Sequence, residues 1–214
     1  MVLKLHGFFM STCTRRVAMV LHEKNVPFEF VPVDITKGEQ KKPEYLEKHP
    51  FGVVPYLDDD GFILYESRAI CQYIAIKYAN QGTPLIPTDP KEYALYLQAA
   101  STELTHFNDL AERAVIEKVF KPMRGAATDM AVYEGLLKSL DSKLDVYDKI
   151  LSKQKYLAGN EVTLADLYHI PFGVMLGMGG SDIMTSKPNV KRWFEAICAR
   201  PAWQAVKDGV KSTA

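Results

Sequence analysis

The spacing of apolar and polar positions changes character along the chain. Leu3–Phe8 reads as a short strand, and Thr12–Lys24 carries apolar residues at 13, 17, 20 and 21, the helical period. Asn25-Val26-Pro27 ends that helix. Phe28–Val33 is a second strand whose internal proline suits an edge or a strand end. Residues 34–50 are polar and charged, with Gly38 and Pro43, and predict a loop holding one helical turn. Val53–Leu57 and Phe62–Tyr65 form a hairpin around Asp58-Asp59-Asp60-Gly61, and Ser67–Tyr78 is helical again. The order is βαβ followed by ββα.

Residues 80–90 (NQGTPLIPTDP) combine three prolines with a glycine and no period, which marks a linker. Beyond it the strand signal disappears. Lys91–Val119, Met130–Leu151, Thr163–Met175 and Lys187–Arg200 all read as helices, with Pro201–Val210 as a short last one. The pattern therefore predicts an α/β domain over 1–80, a linker over 81–90 and an all-α domain over 91–214.

Composition narrows the classes of partner. The 214 residues hold 26 Lys plus Arg and 26 Asp plus Glu, so no net field draws the chain to nucleic acid or acidic membranes. No apolar run approaches the ~18 to 20 residues of a membrane span, and the first residues are too few and too polar for a signal peptide. The three cysteines give no disulfide framework, and a cytoplasmic, reducing location is expected. Cys71 and Cys198 lie in apolar helical stripes and are expected in the core. The five histidines make no i, i+4 pair or Cys/His cluster, so no metal is expected.

Four segments and a two-part C-terminal pattern carry a resemblance. Ser11-Thr12-Cys13-Thr14-Arg15-Arg16-Val17, Gly38-Glu39-Gln40-Lys41-Lys42-Pro43, Pro50-Phe51-Gly52-Val53-Val54-Pro55 and Glu66-Ser67-Arg68-Ala69-Ile70 occur in order, followed by Leu157-Ala158-Gly159 and Thr163-Leu164-Ala165-Asp166. In sequence and spacing the set resembles a glutathione transferase, the phi class in particular, over nearly the whole chain. The resemblance implies a thioredoxin-like glutathione-binding domain, then an all-helical domain supplying the electrophile site. It also implies a homodimer that conjugates the thiolate of glutathione, its co-substrate, to hydrophobic electrophiles, with organic hydroperoxides as further substrates.

The plainest reading of Ser11 is an N-cap at the start of a helix. The resemblance adds the glutathione sulfur beside its hydroxyl. A free thiol has a pKa of about 8.5, and lowering it by ~2 units requires roughly 2.7 kcal/mol of preferential thiolate stabilisation. A hydroxyl hydrogen bond to a charged acceptor supplies ~1.5 to 3 kcal/mol, and a helix N-terminus adds ~0.3 to 1 kcal/mol. Ser11 is then a donor, and glutathione itself is the nucleophile.

Glu66-Ser67 also opens a helix. By resemblance Ser67 takes the γ-glutamyl carboxylate and Glu66 answers the ammonium; the alternative is an ordinary capped helix. Val54-Pro55 resembles the family's cis-proline turn, with Val54 pairing its backbone to the cysteinyl part. Thr12, Gln40, Lys41 and Val53 complete the implied glutathione contacts. Gln40 stands where phi enzymes often carry His, and Val53 where they commonly carry Gln, which removes one side-chain amide near the glycyl end.

Walls for an electrophile are expected from Phe8, Phe9 and Met10 before Ser11, and from Phe107, Phe120, Met123, Phe172 and Met175 in the helical domain. Thr163-x-x-Asp166 reads as a capping box worth ~1 kcal/mol. Cys13 is expected buried on the stripe of Val17 and Val20; the alternative is a thiol-exchange cysteine. A non-catalytic carrier (a ligandin) of flavonoids or other aromatic molecules is a second function class, and a transferase-like scaffold domain a third.

Overall fold

The structure, a computed structural model, describes residues 2–214. It forms two compact units. One comprises the chain up to Ile86 together with Arg200–Ala214, and the other is Pro87–Ala199. The segment from Arg200 onward departs from the expectation that 91–214 forms one helical domain. Its helix packs on the N-terminal unit, where Trp203 is buried and the Arg15 guanidinium lies 5.5 Å from its ring centroid.

In the first unit, β1 (Leu3–Gly7), β2 (Phe28–Pro32), β3 (Tyr56–Asp59) and β4 (Phe62–Tyr65) form one sheet in the order β2-β1-β3-β4. β1 runs parallel to β2, with Leu3 opposite Phe28, and antiparallel to β3; β3 and β4 are the hairpin. Pro32 is accommodated because β2 is an edge. β3 begins three residues later than its apolar run suggests, since Pro55 has no N–H for the ladder. Helices α1 (Thr12–Glu23) and α3 (Ser67–Lys77) pack against each other and reach the sheet. Val17 through Leu21 of α1 are wholly buried, each such large aliphatic side chain removing surface worth ~1.5 to 3 kcal/mol. The charged stretch after β2 holds two single 3₁₀ turns, Ile35–Lys37 and Glu39–Lys41, then α2 (Pro43–Leu46).

The end of α1 is stitched to the segment before Pro87. Arg200 donates to both oxygens of Glu23 at 2.5 and 2.7 Å, and Thr83 Oγ1 donates to the same carboxylate at 2.6 Å. Gly82, at φ +60°, permits this approach, because a Cβ there would lie 2.3 Å from the Glu23 carbonyl oxygen.

The second unit is helical. Asp89 caps α4 (Pro90–Thr102), accepting from the Lys91 and Glu92 N–H groups. The chain stays helical to Met123 through α5 (Asp109–Val115) and α6 (Lys121–Met123), with π-helical segments at Glu103–Asn108 and Ile116–Phe120. Next come α7 (Met130–Leu151), α8 (Leu164–Leu167), α9 (Ile170–Met178) and α10 (Pro188–Cys198). The expected helix Thr163–Met175 is two helices, because Pro171 in the first turn of α9 favours a new helix start there. Leu140, Leu144, Leu164, Ile170 and Trp193 are wholly buried and form much of this core. The last helix, α11 (Pro201–Val206), belongs to the first unit. Among the described residues, no helix is long and apolar enough to cross a membrane.

Candidate glutathione site

Three chain turns of the first unit carry the candidate residues. At the first, Ser11 has non-helical dihedrals (φ −60°, ψ 133°), its N–H donates to the Phe8 carbonyl at 3.0 Å, and its carbonyl accepts from Arg15 at 2.9 Å. Its Oγ accepts from the Thr14 N–H at 3.4 Å, a long bond. The hydroxyl uses a lone pair in that contact and keeps its proton for another acceptor. The N-cap and thiol-donor readings of Ser11 are therefore compatible.

At the second turn, Glu66 precedes α3 with φ 71° and ψ 105°. A non-glycine residue at positive φ stores ~1 to 3 kcal/mol and is concentrated at functional sites. The Glu66 side chain is exposed, whereas Ser67 is buried and its Oγ accepts from Arg16 Nη1 at 2.9 Å. The same nitrogen reaches Cys13 Sγ at 3.4 Å. One buried guanidinium thus spans the first turns of α1 and α3 and sets the two helix N-termini, each favourable to an anion, side by side.

The third turn contains the cis Val54–Pro55 bond. Tyr45 Oη donates to the Val53 carbonyl at 2.8 Å from a cluster with Val33 and Tyr56, and burial pushes its hydroxyl pKa up, which keeps it a donor. The loop of Gln40 and Lys41 touches this turn. Lys41 Nζ donates to the Phe51 carbonyl at 3.3 Å, and a Cβ on Gly52 would lie 2.9 Å from the Gln40 carbonyl oxygen. Gln40 Oε1 is buried without a partner. His49, stacked on Tyr65 at 4.9 Å, is driven toward its neutral form by burial.

The remaining candidates divide sharply. Thr12 and Pro55 are buried, Val54 is half-buried and Val53 is exposed. Phe8 is half-buried, with its ring 5.0 Å from that of Phe9; Phe9 and Met10 are 46% and 36% exposed. In the helical unit Phe120 is half-buried and Met123 exposed. Phe107, Phe172 and Met175 are buried, Phe107 with its ring 4.5 Å from that of His169. They fill the helical core and offer almost no surface to a ligand, contrary to the expectation.

The cysteines also correct the pattern. Cys71 is fully buried, but Cys13 and Cys198 are half-buried. Cys13 accepts from the Arg16 guanidinium in the first turn of α1. Burial pushes the thiols of Cys71 and Cys198 up to about 12. Arg16 and Tyr45 were missed by pattern reading. An arginine inside an apolar stripe is a signal that could have exposed Arg16; Tyr45, in a charged loop, has none.

Comparison with known proteins gives the family. Residues 5–82 match the glutathione S-transferase N-terminal domain, and residues 107–201 match the glutathione S-transferase C-terminal domain. The chain is 48% identical to glutathione S-transferase PM239X14 of Arabidopsis thaliana over 90% of each chain. It is 46% identical to glutathione S-transferase hmp2 of Hypomyces subiculosus, covering 95% of this chain and 96% of that one. The crystal structure of glutathione transferase F7 from Populus trichocarpa superposes with a TM-score of 0.93 at 41% identity, over 97% and 98% of the two chains. The chain belongs to the glutathione S-transferase family. Within that family its relatives place it in the phi class, with glutathione as co-substrate.

Proposed function

We propose that Ser11 activates glutathione by donating a hydrogen bond from its hydroxyl to the sulfur, which lowers the thiol's pKa so that the S–H proton passes to solvent and Ser11 keeps its own. The observation that carries this reading is the half-satisfied start of α1, where Oγ accepts one long bond from Thr14 and has a hydrogen bond left to donate. The thiolate then attacks an electrophilic carbon, and the group it displaces leaves with the bonding pair.

The donor set around Ser11 fits a peptide with two carboxylates and one ammonium. Ser67, with the N-terminus of α3, takes the γ-glutamyl carboxylate and Glu66 the ammonium. The Val54 backbone pairs with the cysteinyl part, and Lys41 with Gln40 faces the glycyl carboxylate. Thr12 and Arg16 hold the frame. Phe8, Phe9 and Met10 form the apolar wall beside the sulfur. The enzyme works as a homodimer in the cytoplasm; sedimentation at the chain mass of 24.1 kDa would contradict the dimer.

The deciding experiment sets Ser11→Ala against Cys13→Ser. Ser11→Ala keeps glutathione binding and lowers conjugation ~10- to 100-fold, the loss of ~1.5 to 3 kcal/mol of charged hydrogen bonding. The pKa in its rate profile rises toward that of a free thiol. Cys13→Ser stays near wild type. Equal titration of bound glutathione in wild type and Ser11→Ala sinks the assignment. A mixed disulfide at Cys13, with activity lost in a folded Cys13→Ser, favours thiol exchange instead.

A further inference from the structure

After α11 the chain turns back over the loop that precedes Ser11. Gly209 has φ +125°, a region glycine occupies without steric cost. A Cβ there would lie 2.8 Å from Phe9 Cδ2 and 3.7 Å from Met10 Sδ. The next residue, Val210, is buried and donates its N–H to the Phe9 carbonyl at 3.1 Å.

This contact is held on both sides. Upstream, the buried Arg15 donates from its guanidinium to the Lys207 carbonyl at 2.9 Å. Downstream, the Phe30 N–H donates to Ser212 Oγ at 2.8 Å, and Phe28 exchanges bonds with Thr213 at 2.9 and 3.1 Å. The Phe8 carbonyl in turn accepts the Ser11 N–H. The Phe8–Ser11 turn is therefore gripped by a segment about two hundred residues away in sequence. Because Phe9 and Met10 keep 46% and 36% of their surface open to solvent, core packing alone does not fix them. The Phe8 ring at 5.0 Å, the close approach of Gly209 and the Val210 bond to the Phe9 backbone add the remaining constraints.

We infer that Gly209 and Val210 are positioning residues for the electrophile: they set the Phe9 ring and the Met10 thioether, and through them which electrophiles the enzyme accepts. This rests on Phe8–Met10 being the electrophile wall. The substrate class it governs is planar and aromatic, since an exposed ring held at fixed inclination discriminates by stacking geometry.

The test is a double-mutant cycle of Gly209→Ala and Phe9→Ala, assayed with chlorodinitrobenzene and benzyl isothiocyanate. Gly209→Ala drives a methyl into the Phe9 ring, and the electrophile KM should rise roughly three- to tenfold, unequally for the two probes. The glutathione KM should hold. In the Phe9→Ala background the same glycine change should have almost no effect on the electrophile KM. An equal effect in both backgrounds, or none in either, overturns the inference. Should Gly209→Ala fail to fold, the backbone strain of alanine at φ +125° remains in both backgrounds; partial recovery of its melting temperature by Phe9→Ala reports the same coupling, and no recovery refutes it. A parent enzyme that conjugates neither probe would instead count against the electrophile-wall reading, leaving the coupling in melting temperature to be judged separately.

Discussion

Two helix starts in this chain use the same chemistry to opposite ends. At α8, Asp166 is fully buried and every face of its carboxylate is occupied. One oxygen accepts from the Thr163 N–H and hydroxyl at 2.9 and 3.0 Å, the other from the Leu157 N–H and the Trp193 indole at 2.9 and 3.0 Å. Burial raises the carboxyl's pKa, and the four donors work against that shift. At α1, Ser11 makes one long contact, is half-buried, and has no acidic residue in the turn that follows. An acidic side chain there would satisfy the open N–H groups but repel a thiolate. A saturated cap spends its bonding capacity on stability; an unsaturated one holds it for a ligand.

Asp166→Ala gives the largest effect. It strands four buried donors, two of them backbone, and should cost ~3 kcal/mol or more by chemical denaturation, well above the ~1 kcal/mol expected of a simple cap. A loss near that smaller figure would mean water replaces the carboxylate. Ser11→Asp should invert the comparison. A carboxylate at this cap should match or exceed the serine in melting temperature, gaining ~0.3 to 1 kcal/mol from the dipole, while conjugation falls below that of Ser11→Ala. Retained activity in that variant would show that the thiolate lies elsewhere. The smallest effect belongs to Lys41→Ala. Glutathione should bind less tightly and with weaker dependence on ionic strength, because an exposed contact is screened; turnover at saturating glutathione should hold. Collapse of turnover would assign Lys41 to the chemistry.

Local rules made much of this legible. Period separated the helices from the strands, Pro32 marked an edge strand, and Asp58 to Gly61 marked the hairpin, where Asp60 and Gly61 do take positive φ. The Ser11, Val54-Pro55 and Glu66-Ser67 segments fall on adjacent turns of one unit, which their order in the sequence could not reveal. What stayed hidden depends on contacts between distant residues. Arg16 links Ser67 to Cys13, and Tyr45 holds the Val53 carbonyl, through bonds that no spacing encodes. Phe107, Phe172 and Met175 show the opposite error. Helical period cannot separate a core aromatic from one lining a cavity, because both lie on the inward stripe.

The hydroxyls of Ser212 and Thr213 on β2 carry one more consequence. β2 is the open margin of the sheet, and its Phe28 and Phe30 amides would otherwise face solvent as a template for any passing strand. They donate instead to the Thr213 and Ser212 side-chain oxygens, and the Phe28 carbonyl accepts the backbone N–H groups of Thr213 and Ala214. This covering satisfies the margin without lengthening the sheet, and it presents no fresh ladder of its own. The few residues after α11 thereby take up the bonding groups through which an edge strand would recruit another copy, a colloidal consequence separate from anything that happens at the sulfur.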